Sequence, residues 1–293
     1  MKKFALCFLC LLLLLALTAC GREAERPWPE TAAYTNLNTP ESQALLQDLL
    51  DTARIPEARQ KVLFDHIAEI NALMPPEALS GDITPHPLDT PLYDPYELQS
   101  RWEEAHPDFV GYNCRITAFS LYGSLLELDS AAENPDPFLF LDAEALSCDS
   151  SALPTPEDRG HFYSFYAPVP TENTSDVQTH LRIWQQSLRD RGIRFPENPR
   201  VSLISLVFHD QIDGDQLTVG HTGVLFSGTD GCLYFLEKLA FQDLYRLCRF
   251  ESREALSDYL MVLYDLDFGQ PTAAPMVLEN DSLIQGYRPR EVS

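Results

Sequence analysis

Cys114 opens the segment 111-GYNCRITAFSLYGSLLEL-128, directly after the turn-forming residues Gly111, Tyr112 and Asn113. Cys114, Ala118, Leu121, Leu125 and Leu128 keep helical spacing, and Asn113 is a good N-cap. The thiol is therefore expected on the first turn of an amphipathic helix, where the positive end of the helix dipole favours the nucleophilic thiolate. The first-turn N–H groups have no intrahelical partners and can donate to an oxyanion forming on a substrate carbonyl. A plainer expectation competes with this one. Cysteine is among the most buried residue types, and Cys114 lies on an apolar helix face.

Such a nucleophile needs a base. His221 stands at the start of 220-GHTGVLF-226, a strand by its pattern, so sheet hydrogen bonds would hold it. If Ser227 to Gly231 form a hairpin loop, Phe226 pairs with Cys232 and His221 faces Glu237 in 234-YFLEK-238. A four-residue loop would instead set Leu236 opposite His221, so the pairing depends on register. A carboxylate beside the imidazole would orient it and stabilise its cationic form. The alternative is a structural His–Glu pair, or Glu237 joined to a surface arginine.

The elements that must position these residues follow from periodicity. Helices are expected over 39–53, 56–73, 95–104, 176–190 and 252–264, the first with Thr39 as N-cap and Pro40 behind it. Strands are expected over 201–208, 217–226 and 232–241. Residues 74–94, with five prolines, read as a wrapping loop, and 129–172 as irregular. Helices first and an antiparallel sheet mainly from the C-terminal half define an α+β chain. One domain over 39–293 is expected, preceded by a tether over 20–38.

Composition narrows the function classes. A formal net charge of -23 argues against nucleic acid, whose phosphates require Lys and Arg, and favours neutral or cationic substrates. With 45% hydrophobic residues the chain can bury a core without cross-links. Free thiols at Cys114, Cys148, Cys232 and Cys248 are thus tenable, and two disulfides in any of three pairings stay equally open. The acidic run 209-HDQIDGD-215 lacks the spacing of a calcium loop and reads as a turn. No zinc spacing, phosphate loop or dinucleotide motif is present, so no cofactor or metal is expected.

A cysteine opening a helix, a histidine opening a strand and a polar residue on the next strand resemble the papain-like cysteine hydrolases. Among these the chain is most similar to bacterial cell-wall peptidases and amidases. The resemblance implies a papain-like arrangement, with N-terminal helices packed on the sheet and Asn113 or Tyr112 flanking the oxyanion site. It implies an amide or peptide substrate such as a peptidoglycan stem peptide. Two features depart from that pattern. Glu237 stands where His, Asn, Asp or Gln is usual, and the stretch from Cys114 to His221 is long. The GHTGVLF and FLEK segments, with the N-terminal leader, also resemble a family of bacterial lipoproteins of unknown function.

That leader begins with Lys2 and Lys3, followed by an apolar run over 4–16, about thirteen residues and too short to span a bilayer. It ends in Leu17-Thr18-Ala19-Cys20-Gly21, which resembles a bacterial lipobox. Residues 1–19 are expected to be a cleaved signal peptide, with Cys20 lipidated and the mature chain held on the extracytoplasmic face of the membrane. The function expected from these features is a lipid-anchored cysteine hydrolase. The alternative is a non-enzymatic lipoprotein that binds a solute or partner, with Cys114 and His221 structural. Cys20→Ala should leave the protein unlipidated and out of the detergent phase on phase partitioning. Wild-type partitioning of that variant would remove the anchor.

Overall fold

The computed structural model describes residues 26–267 and 269–290. The signal peptide and Cys20 lie outside the described residues. Eight α-helices and a nine-stranded antiparallel sheet make up the described residues. The strands are β1 (Thr31–Thr35), β2 (Thr84–Pro87), β3 (Val169–Pro170), β4 (Val201–Asp210), β5 (Gln216–Ser227), β6 (Leu233–Lys238), β7 (Tyr245–Phe250), β8 (Met276–Glu279) and β9 (Ser282–Leu283). They lie in the order β2-β1-β7-β6-β5-β4-β8-β9, with β3 added to β5. The helices are α1 (Pro40–Ala53), α2 (Glu57–Asn71), α3 (Pro95–Ala105), α4 (Cys114–Tyr122), α5 (Phe140–Cys148), α6 (Pro156–Tyr166), α7 (Val177–Asp190) and α8 (Arg253–Tyr264).

The central strands are buried on both faces, which is why β4 reads as a near-continuous apolar run. Their side chains alternate between two cores. Val224, Phe226 and Leu236 join the core under α1, α2, α4 and α6. Leu225, Leu233 and Phe235 face Leu256, Tyr259 and Leu260 of α8. Helix α4 is buried almost all round, as suits a helix enclosed between other elements.

Several expectations need correction. Residues 31–35 are not tether: β1 pairs with β2 and β7, and Thr35, Asn36 and Leu37 are fully buried. The 74–94 loop contains β2, an edge strand that tolerates its prolines because one side needs no ladder hydrogen bonds. The segment 129–172 is not irregular, since it holds α5, α6 and β3. The helix begun by Cys114 ends at Tyr122, short of Leu125 and Leu128. The four cysteines among the described residues are free thiols.

The hairpin register also differs, by two residues. Glu237 pairs with Gly223, not His221, and the closing pair is Ser227 with Leu233. The turn explains the slip. Gly231 takes the left-handed conformation at φ 83, and Asp230 accepts the Cys232 N–H, so Cys232 stays in the turn and Leu233 opens the strand. An even slip leaves every side chain on its expected face.

At Gly223 the partner strand approaches closely. An added Cβ would meet Leu236 O and the Phe235 ring, both at 2.5 Å. Gly223→Ala should therefore cost about 1–3 kcal/mol in urea unfolding, through displacement of β6. A variant as stable as wild type would mean that the strands can part there without loss.

Candidate active site

Asn113 fixes the start of α4 as an N-cap, its Oδ1 accepting the Ile116 N–H at 2.9 Å. Its Nδ2 donates to Asp142 Oδ1 at 2.8 Å, and Asp142 also binds the Arg115 guanidinium through both oxygens. Arg115 reaches Val219 O of β5 at 3.1 Å, tying the first turn of α4 to the sheet. That part of β5 is open to α4 because β6 pairs with β5 only from Gly223 onward.

β5 carries a bulge beside the site: Leu206 pairs with His221 while Val207 pairs with Val219, leaving Gly220 as the extra residue. Bulges re-aim the side chains next to them, and His221 follows this one. Its Nε2 lies 2.7 Å from Glu237 Oε2, the diagonal neighbour on β6. The Cys114 thiol lies beside the same imidazole, close enough that each shifts the titration of the other. With Nε2 held by Glu237, Nδ1 is the ring nitrogen left to approach the thiol. Glu237 is fully buried and accepts a second hydrogen bond from the Tyr259 hydroxyl of α8. Tyr264, at the end of α8 and half-exposed, stacks on the His221 ring with centroids 4.8 Å apart. The structure thus brings together Cys114, His221 and Glu237.

The expected oxyanion residues are disposed differently. The Tyr112 hydroxyl donates to Asp149 O at 2.8 Å, away from the thiol. The Asn113 side chain caps α4 through Oδ1 and gives one amide N–H to Asp142. His209 pairs with Asp215 at 3.0 Å within the 209–215 turn. No group of three or more His, Cys, Asp or Glu among the described residues is placed to hold a metal.

Burial alone would push the Cys114 thiol up. The His221 hydrogen bond and charge outweigh it, with help from Arg115 and the Thr222 N–H, and the net direction is down. For His221, burial pulls down, but hydrogen bonds to Cys114 and Glu237 raise it to about 9. Burial likewise pushes Glu237 up, while His221, Arg246 and Tyr259 hold it below the ordinary carboxylate value. These directions favour a thiolate beside an imidazolium and a carboxylate over the neutral forms. His221 stabilises the fold most below its unperturbed value and loses that contribution as pH climbs through about 9. Cys114 and Glu237 contribute above their ordinary values and lose it as pH falls through their lowered ones.

Arg115, Asp142, Tyr259 and Tyr264 were not singled out from sequence. Arg115 did leave a signal: a charge on a helix otherwise buried all round requires a buried partner. Asp142, inside the apolar run 138-FLFLDAEAL-146, was its counterpart.

The chain belongs to the family of the domain of unknown function DUF4300, whose model matches residues 33–284. No curated protein and no solved structure matches it.

Glu237→Gln keeps the shape of the His221 partner and removes its charge. The His221 titration midpoint, followed by NMR of the ring protons, should fall from near 9 by about 1–3 pH units. An unmoved midpoint would mean that Glu237 does not hold the imidazole proton.

Proposed function

We propose that this protein is a lipid-anchored, extracytoplasmic cysteine hydrolase of papain-like type that cleaves amide or peptide bonds. One observation carries the reading: an imidazole bonded to a buried carboxylate stands beside a thiol on the first turn of a helix, and thiol and ring shift each other's titration. Cys114 attacks the substrate carbonyl carbon as thiolate. The imidazolium of His221 then gives its proton to the departing amine, leaving an acyl-thioester. Water, deprotonated by His221, hydrolyses that thioester and frees the thiol. Glu237 keeps the ring oriented and stabilises its cation, and Tyr259 holds Glu237 in turn.

The acidic surface suits a neutral or cationic substrate, and a peptidoglycan stem peptide is the proposed class. The proposed anchor is a lipid on Cys20, the residues before Arg26 serving as tether. Tyr264 covers the imidazole, so a substrate must displace that half-exposed ring.

A second reading rests on burial. Cys114 is 5% and His221 1% exposed, as core residues of a non-enzymatic binding lipoprotein would be. The two readings part on thiol chemistry. An activated Cys114 reacts with iodoacetamide at pH 6 in the folded protein, read by mass spectrometry of its peptide. His221→Ala should then slow that reaction roughly tenfold for each unit by which the thiol pKa rises. Labelling that proceeds only at the rate of global unfolding decides for the binding protein.

A further inference from the structure

Tyr166, the last residue of α6, is 1% exposed, and its hydroxyl has no hydrogen-bond partner among the described residues. A buried unpartnered phenol costs roughly 1–3 kcal/mol against a phenylalanine of the same shape. The ring cannot turn away, since it packs on Phe162 at 5.0 Å, Phe165 at 4.8 Å and Phe119 of α4 at 6.0 Å. That packing holds the hydroxyl where it feels the charges of Cys114, Arg115 and Asp142. Thr222, which follows His221, lies close by. Its hydroxyl donates to Ile204 O at 2.7 Å, and the phenol forms no hydrogen bond of ordinary geometry with the oxygen lone pairs left.

Other side chains near the thiol are drawn toward partners of their own, with N–H groups of Asn113 and Arg115 to spare. The Asn113 amide and the Arg115 guanidinium are held by Asp142, and the Tyr112 hydroxyl is held by Asp149. Two further donors are the Cys114 N–H, which precedes the first intrahelical bond, and the unpartnered Tyr166 hydroxyl, close enough to feel the charge of the thiol.

We propose that Tyr166 is a catalytic residue that stabilises the oxyanion, donating with the Cys114 N–H to the oxygen of the tetrahedral intermediate. The inference rests on Cys114 being the nucleophile. As the thiolate forms its bond to the carbonyl carbon, the C=O π pair moves onto oxygen and becomes the charge that the two donors receive. When the carbonyl re-forms, that pair returns and the bond to the leaving group breaks. Tyr166 keeps its proton throughout. Burial holds the phenol neutral far above its ordinary titration range, so it serves as donor and not as base.

The test compares two reactions of Cys114. Acylation by p-nitrophenyl acetate passes through an oxyanion and releases p-nitrophenolate, which needs no proton to leave. Alkylation by iodoacetamide displaces iodide at carbon and forms no oxyanion. Tyr166→Phe should slow Cys114 acylation by about 10²–10³-fold. It should leave alkylation within about twofold, and the melting temperature should not fall, since an unpartnered hydroxyl has been removed. Acylation as fast as in wild type, with Cys114 alkylated normally, overturns the role of Tyr166 and leaves the nucleophile intact. Acylation and alkylation slowed together overturn it as well, assigning Tyr166 to packing. A folded wild type that reacts with neither reagent overturns the nucleophile reading and this inference with it.

Discussion

The hydrogen bond between His221 and Glu237 sets the terms for the elements around it. A carboxylate and an imidazole buried side by side are tolerable only if their remaining atoms also find partners. α8 supplies the Tyr259 hydroxyl to the second oxygen of Glu237, and β7 sets Arg246 opposite it. α4 brings Cys114 to the other side of the ring, and its first turn is pinned to β5 by Arg115 and to α5 by Asp142. Two helices, three strands and the bulge at Gly220 thus meet at one imidazole.

The charges at this junction come in compensating pairs. The Cys114 thiol faces the His221 imidazole, Glu237 has Arg246 across the strand, and Arg115 has Asp142. The opposite shifts of thiol and imidazole favour the proton on nitrogen over sulfur, and groups coupled this closely titrate as a unit.

Much of this arrangement was legible in the residues, and the limits have physical causes. The Asn-Cys start of α4 was readable because capping is a local interaction. The His221–Glu237 contact was readable because strand side chains alternate, and it survived a wrong register because the slip was even. β1 was hidden because TAAYT carries little apolar signal and gains its place through β7. α5 was hidden because its exposed face carries Phe140 and Leu141 while its buried face carries Asp142, and α6 because it is buried on more than one side; both erase the contrast between faces. Tyr166 was legible only as part of the aromatic run 162-FYSFY-166. Its unpartnered hydroxyl is a fact of packing that no local pattern encodes.

Stability alone does not account for the site. A buried ion pair is weak evidence of stabilisation, since apolar residues of similar volume often fill such space as well or better. The strands around it are already rich in Leu, Val and Phe, so an apolar trio would have continued the same core. What an apolar trio cannot do is lower the pKa of a thiol, raise that of an imidazole and hold both at one helix terminus. The departures from ordinary packing also point one way. The bulge precedes His221, the unpartnered phenol feels the Cys114 charge, Arg115 follows Cys114 in the chain, and Glu237 binds His221. The charged groups among these features each have an electrostatic effect of the sign that the proposed nucleophile requires.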